Sequence, residues 1–241
     1  MLEPEVDGLS QRIFERARVL IVAGIGFGAL VAGLGGRLAM FVLRVTSPDA
    51  VRGVISDDGF VIGRFTLSGT YNLMLIGSAA GMIGVGVYWL VSPWLIGPVW
   101  FRRLTTGLAA AAVVGSMLVH AQGVDFTLLK PTWLAIALFV ALPGVFGALI
   151  GPAVDWVATS GSWTTRGRRR RLAPVIAIAL FPFTALLLAF GLALIAIGEG
   201  ARPYPRAQTT PAIVSFLVRT FWLSIAVTGL VSLLTDIRQI Y

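Results

Sequence analysis

The chain has 241 residues, 57% of them hydrophobic and only 12% charged, with mean hydropathy +0.88; a soluble domain carries about twice that charged fraction. The net charge is +8, from 19 basic residues of which only Lys130 is lysine, and there is no cysteine and one histidine, His120. These counts exclude disulfides, cysteine catalysis, thiolate metal sites and, within one chain, a bis-histidine haem or multi-histidine zinc site. No cofactor and no metal ion is therefore expected, and the apolar background makes a lipid bilayer, not nucleic acid, the partner of the arginines.

Residues 1–18 read as a short cytoplasmic segment. Glu3, Glu5 and Asp7 crowd its start, and the apolar run from Val19 is too long for the core of a signal peptide. Residues 19–241 read as a single all-α transmembrane domain of six helices with Gly-rich packing. The expected spans are Val19–Leu43, Thr70–Val91, Thr105–Gln122, Pro131–Ala153, Leu172–Gly198 and Ala212–Leu234, each close to or above the ~20 residues needed to cross. The third is the weakest, being rich in alanine and threonine.

Between spans, the longest loop is 45–69. Asp57, Asp58 and Gly59 signal a turn there, and the partial alternation that follows is compatible with a short hairpin. Residues 92–104 read as an interfacial turn with Trp94 and Trp100 at headgroup level. The loop 155–171 carries Arg166 and Arg168 to Arg171. Such a cluster marks the cytoplasmic side and would also attract anionic lipids. With the N-terminus inside, Arg12, Arg16, Arg18, Arg102, Arg103, this cluster and Arg238 outnumber the basic residues left outside. Both termini are accordingly expected in the cytoplasm, in a bacterial inner or plasma membrane.

Glycine pairs at i, i+4 (Gly24 and Gly28, Gly77 and Gly81, Gly147 and Gly151) predict close helix contact. Pro143 and Pro182 are expected to kink or loosen the fourth and fifth spans. "FGALVAG" at 27–33 and "FGALIGP" at 146–152 are alike, as the halves of an inverted-repeat transporter would be.

Three polar residues fall inside apolar stretches: Arg37, His120 and Arg219. Helical rise along the expected spans puts all three in the outer half, Arg37 far along from Val19 and Arg219 eight residues into a span entering from outside. Helical spacing puts each on a stripe with small residues, so all three are expected between helices. Asp57, Asp58, Asp125 and Glu199 are the candidate rim or ion-pair partners. One reading is structural, with Arg37 snorkelling to headgroups or pinning the first outer loop and Arg219 holding a carboxylate or helix carbonyls. The other is an outward-facing cationic pocket, in which His120 would titrate or ligate a metal with Asp125.

Three functional classes follow. The first is a small transporter or channel, whose two arginines favour an anionic solute. The second is an accessory or assembly subunit of a larger membrane complex, or a homo-oligomer, since no acid lies inside any expected span. The third is a membrane-embedded enzyme at the outer face, for which no catalytic constellation is legible. "DDGFVIGR" at 57–64 resembles the opening of the CDP-alcohol phosphotransferase signature, but the spaced aspartates of that family do not follow, so its metal site is missing.

Overall fold

The computed structural model of the chain describes residues 3–51, 53–55, 59, 61, 66–159, 169–181, 187–188, 190–193, 197 and 212–241. Helices α1 (Glu3–Phe27) and α2 (Gly35–Thr46) are joined by a π-helical stretch, Gly28–Leu34, into one long rod. Then come α3 (Leu67–Val91), α4 (Val99–Leu118), the single turn α5 (Val124–Thr127), α6 (Thr132–Ala158), α7 (Arg169–Leu180) and α8 (Ala212–Ile240). The described residues contain no strand, only an isolated antiparallel bridge between Ile55 and Val61. Gly59 lies between those two with φ of +78°, a backbone conformation that suits the glycine of the expected turn.

Among the described residues, four stretches are long and apolar enough to cross a membrane: Phe14–Thr46, Leu67–Trp94, Thr132–Ala158 and Ile213–Ile240. The alanine- and threonine-rich third expected span is not among them. It forms the 20-residue α4, which ends at Leu118, before the expected boundary at Gln122. α6 runs unbroken through Pro143 and Pro152.

Glycine sets the spacing of the bundle. A Cβ added at Gly28 would collide with the Gly77 carbonyl, and one at Gly81 with the Gly24 carbonyl. The two expected pairs on α1 and α3 therefore meet each other, backbone on backbone. The third pair divides its contacts. Gly147 abuts Thr106 and Ala110 of α4, while Gly151 lies against the Tyr88 hydroxyl of α3.

The same contacts give helix directions. Added Cβ atoms at Gly24 and Gly33 would lie 2.8 Å from Met82 Cα and 2.7 Å from Met74 Cα, so α1 and α3 are antiparallel. Gly107 faces the Gly144 carbonyl and Gly115 faces Val140, so α4 and α6 are antiparallel too. For α8 the order rises together with α4. Arg219 Nε donates to the Trp94 carbonyl at 3.3 Å, Gly229 abuts Ala112 and Val113, and Leu233 lies beside Gly115. α8 thus runs parallel to α4.

The start of α1 and the end of α8 accordingly lie at opposite ends of the bundle, where the expectation put both termini on one side. α1 starts at the end that holds Trp89 and Val157, where Arg16 stacks over Trp89 and Arg18 donates to the Val157 carbonyl. α8 finishes at the other end, where Leu233 joins Leu43, Val51, Val119, Phe126 and Leu129 in one buried cluster. Of the fifth expected span, Leu172–Gly198, residues 182–186, 189, 194–196 and 198 lie outside the described residues; α7 has 12 residues, about 18 Å of helix. It stops at Phe181, before Pro182, as a residue preceding proline disfavours the helical conformation. Tyr71 stacks on Phe181 and its hydroxyl donates to the Leu180 carbonyl at 2.6 Å. Ten residues beyond Phe181, Gly191 is back against Leu20, near the start of the bundle. Among the described residues, five rods link the two ends (α1–α2, α3, α4, α6 and α8), while Phe181 packs against Tyr71 and Gly191 against Leu20.

Candidate functional site

The charged residues sort into two levels. Along α1–α2 nothing ionisable lies between Arg18 and Arg37; along α4 nothing lies between Arg103 and His120; along α8 nothing lies between Arg219 and Asp236. Arg18 to Arg37 spans 19 helical steps, about 28 Å, close to the ~30 Å of a hydrocarbon core. Exposed aromatic residues accompany both levels: Trp100 and Trp156 at the first, Trp133 and Tyr241 at the second, the placement of interfacial belts. Trp94 stands at the first level too, bonded to Arg219, but is buried.

At the arginine-rich end the best-sequestered cation is Arg18, 1% exposed. Its Nε and Nη2 both lie 2.8 Å from Glu15 Oε2, and Nη1 donates to the Val157 carbonyl at 3.2 Å. Val157 sits in the last turn of α6, whose carbonyls have no helical donor, so the guanidinium both caps the helix and opposes its dipole in the favourable sense. Sequence reading missed this role, counting Arg18 as a cytoplasmic flank. The signal was available: Glu15 and Arg18 at i, i+3 just before the apolar run.

The expected trio of Arg37, His120 and Arg219 does not assemble. Arg37 is half-buried, on α2 at the far end. His120 is exposed, two residues past the end of α4, and its carbonyl accepts from Gly123 N at 3.0 Å. It therefore lies in a turn and not between helices. Arg219 is exposed at the opposite, arginine-rich end, bonded to Trp94. Of the expected partners, Asp125 is 3% exposed in the far-end cap. Asp57, Asp58 and Glu199 lie outside the described residues, as do Arg166 and Arg168, while Arg169 to Arg171 open α7. No group of three or more His, Asp or Glu side chains among the described residues could hold a metal ion.

The far-end cap is joined across the chain by Ser47. Its hydroxyl accepts from Lys130 N at 2.8 Å and donates to Lys130 O at 3.1 Å.

Between the two levels, the π-helical Gly28–Leu34 stretch departs from regular α-helix and gives Ala29 to a buried apolar cluster. Phe181, just past α7 and stacked on Tyr71 near the start of α3, belongs to the same cluster, with Ala177 and Ile178 of α7 beside it. Ser78 is fully buried next to the π-helical stretch, its hydroxyl donating to Met74 O at 2.7 Å and lying 3.4 Å from Ile25 O. Backbone irregularity at membrane depth is tolerated where it is enclosed by protein or lines a watery cavity, and π-turns concentrate at working parts of helices.

No family model matches the chain, and no curated protein or solved structure matches it.

Proposed function

We propose that the chain is a small multi-pass transporter or channel of the plasma membrane, in which the α7 segment works against the π-helical part of the first rod. The observation that carries this reading is the π-helical stretch Gly28–Leu34 inside the first rod, whose Ala29 belongs to the same buried cluster as Phe181. Broken helices at membrane depth are how many transporters expose backbone groups to a solute. The expectation of an outward cationic pocket gives way to this interior, because Arg37 and Arg219 stand at opposite ends.

In this reading the arginine-rich end is cytoplasmic. Arg16, Arg18, Arg102 and Arg103 are there, and the connection that leaves α6 at that end carries Arg166 and Arg168 to Arg171, in keeping with the positive-inside rule. The N-terminus is then cytoplasmic and the C-terminus outside, with five crossings in place of six.

The test is solute efflux from liposomes holding the purified protein, with chloride, a small carboxylate and a neutral polyol as probes. Tyr71→Phe removes the hydroxyl that holds Leu180. The reading predicts probe flux above empty liposomes, altered at least severalfold by Tyr71→Phe at an unchanged melting temperature. Flux indistinguishable from empty liposomes for every probe would count against it.

One observation favours a subunit role instead: only 11% of the most apolar stretch of α8 is buried. A stoichiometric partner co-purifying in mild detergent, lost when Phe216 and Leu223 on α8 are replaced by alanine, would favour that second reading.

A further inference from the structure

An apolar groove of about 630 Å³ runs along the bundle between α4, α6 and α8. Its floor is made of small residues, Gly107 and Ala111 on α4 with Ala137 and Ala141 on α6. It opens at the arginine-rich end between Leu104 and Ala148 and reaches Trp133 and Tyr241 at the far end. Trp133 to Ala148 is 15 helical steps, about 22 Å.

What stands at its arginine-rich mouth distinguishes this groove from an ordinary lipid-facing surface. Arg103 and Trp100 lie one helical turn before Gly107 and Leu104, so they continue the groove face of α4. Arg103 is exposed and Trp100 is 65% exposed. Arg102, beside them, is already engaged, its Nε donating to the Gly97 carbonyl at 2.8 Å. A cation and an indole therefore stand where a lipid headgroup would be, and the groove above them is apolar up to Trp133 and Tyr241 at its far end.

We propose that this groove binds one anionic phospholipid from the leaflet at the arginine-rich end. The phosphate pairs with Arg103 beside the Trp100 indole, and an acyl chain lies on the Gly107–Ala111–Ala141 floor. One leaflet is about 15 Å deep, or ten helical steps, so a chain entering beside Ala148 passes Val145 and Ala141. The site is separate from the Ala29–Phe181 cluster and does not rest on the transport reading.

Native mass spectrometry of the detergent-solubilised protein tests this directly. The probes are phosphatidylglycerol and phosphatidylcholine of identical acyl chains. One phosphatidylglycerol should bind in preference to phosphatidylcholine. Arg103→Gln should weaken that first adduct about fivefold, the loss of one basic contact to an anionic headgroup. Ala141→Phe fills the floor at an exposed position and should weaken both lipids alike. Val145→Trp, also exposed, serves if Ala141→Phe does not fold. Equal binding of the two lipids to wild type would overturn the proposal. So would an unchanged preference in Arg103→Gln, or unchanged lipid binding in the floor variants. A wild-type oligomer that Ala141→Phe turns into monomer, with lipid adducts retained, would show that protein fills the groove and would overturn it equally.

Discussion

Arg219 Nε donates to the carbonyl of Trp94 at 3.3 Å, which ties the first turns of α8 to the connection between α3 and α4. That contact lies at the end of the bundle where α1 begins. It sets α8 running away from that end, in the direction of α4, and carries Tyr241 to the far side.

The Arg219 side chain is exposed and this hydrogen bond is long. Arg219→Ala should therefore cost no more than about 1 kcal/mol. A melting temperature within a few degrees of wild type is the expected outcome. A loss comparable with that of a buried ion pair would mean the residue is enclosed in a way the contact with Trp94 does not account for.

Arg18 should behave differently. Removing its guanidinium takes the Arg18 donor from Val157 O and from the Glu15 carboxylate, which is about a third exposed. The expected cost of Arg18→Met is about 1–3 kcal/mol, with Arg18→Lys falling between, since lysine keeps the charge but not the forked donor set. Thermal melting in detergent of the two variants side by side checks the order. Arg18→Met as stable as wild type would remove Arg18 from its capping role.

Two glycines of the first rod make opposite predictions. An added Cβ at Gly28 would strike the Gly77 carbonyl, whereas one at Gly26 has nothing within 4 Å. Gly28→Ala should destabilise by about 1–3 kcal/mol. Gly26→Ala should be neutral or stabilising by up to about 1 kcal/mol, because alanine is the better helix former. Comparable melting temperatures for the two variants would contradict the close contact of the first rod with α3.

Ser47→Ala should loosen the far-end cap. The substitution leaves Lys130 N and Lys130 O without their shared partner, at a cost of about 1–3 kcal/mol. Hydrogen exchange should speed up first in residues 119–131. Faster exchange confined to the arginine-rich end would not fit.

The long apolar rods and the glycine contacts were legible because hydropathy and i, i+4 spacing are local properties of the chain. The direction of α8 was not. Apolar length shows that Leu172–Gly198 suits a bilayer, but the direction of α8 follows from its contacts with Trp94, Ala112 and Val113, which hydropathy does not encode. The depth assigned to Arg219 inherited the error, since eight residues into a helix means opposite levels depending on the end from which it enters. His120 was misplaced for a smaller reason: α4 ends at Leu118, so its alanine stripe stops before reaching the histidine. Arg37 lies 19 helical steps from Arg18 along the first rod, a separation that follows from the helical rise alone.

The claim on which the rest depends is that the two ends of the chain lie on opposite sides of the membrane. The cysteine-free background allows single cysteines at Ile96 and Tyr241, both exposed and at opposite ends of the bundle. Labelling with a membrane-impermeant thiol reagent, in intact cells and in inverted vesicles, reads the side of each. The account predicts labelling of Tyr241→Cys in intact cells and of Ile96→Cys only in inverted vesicles. Labelling of both positions from the same side would contradict it.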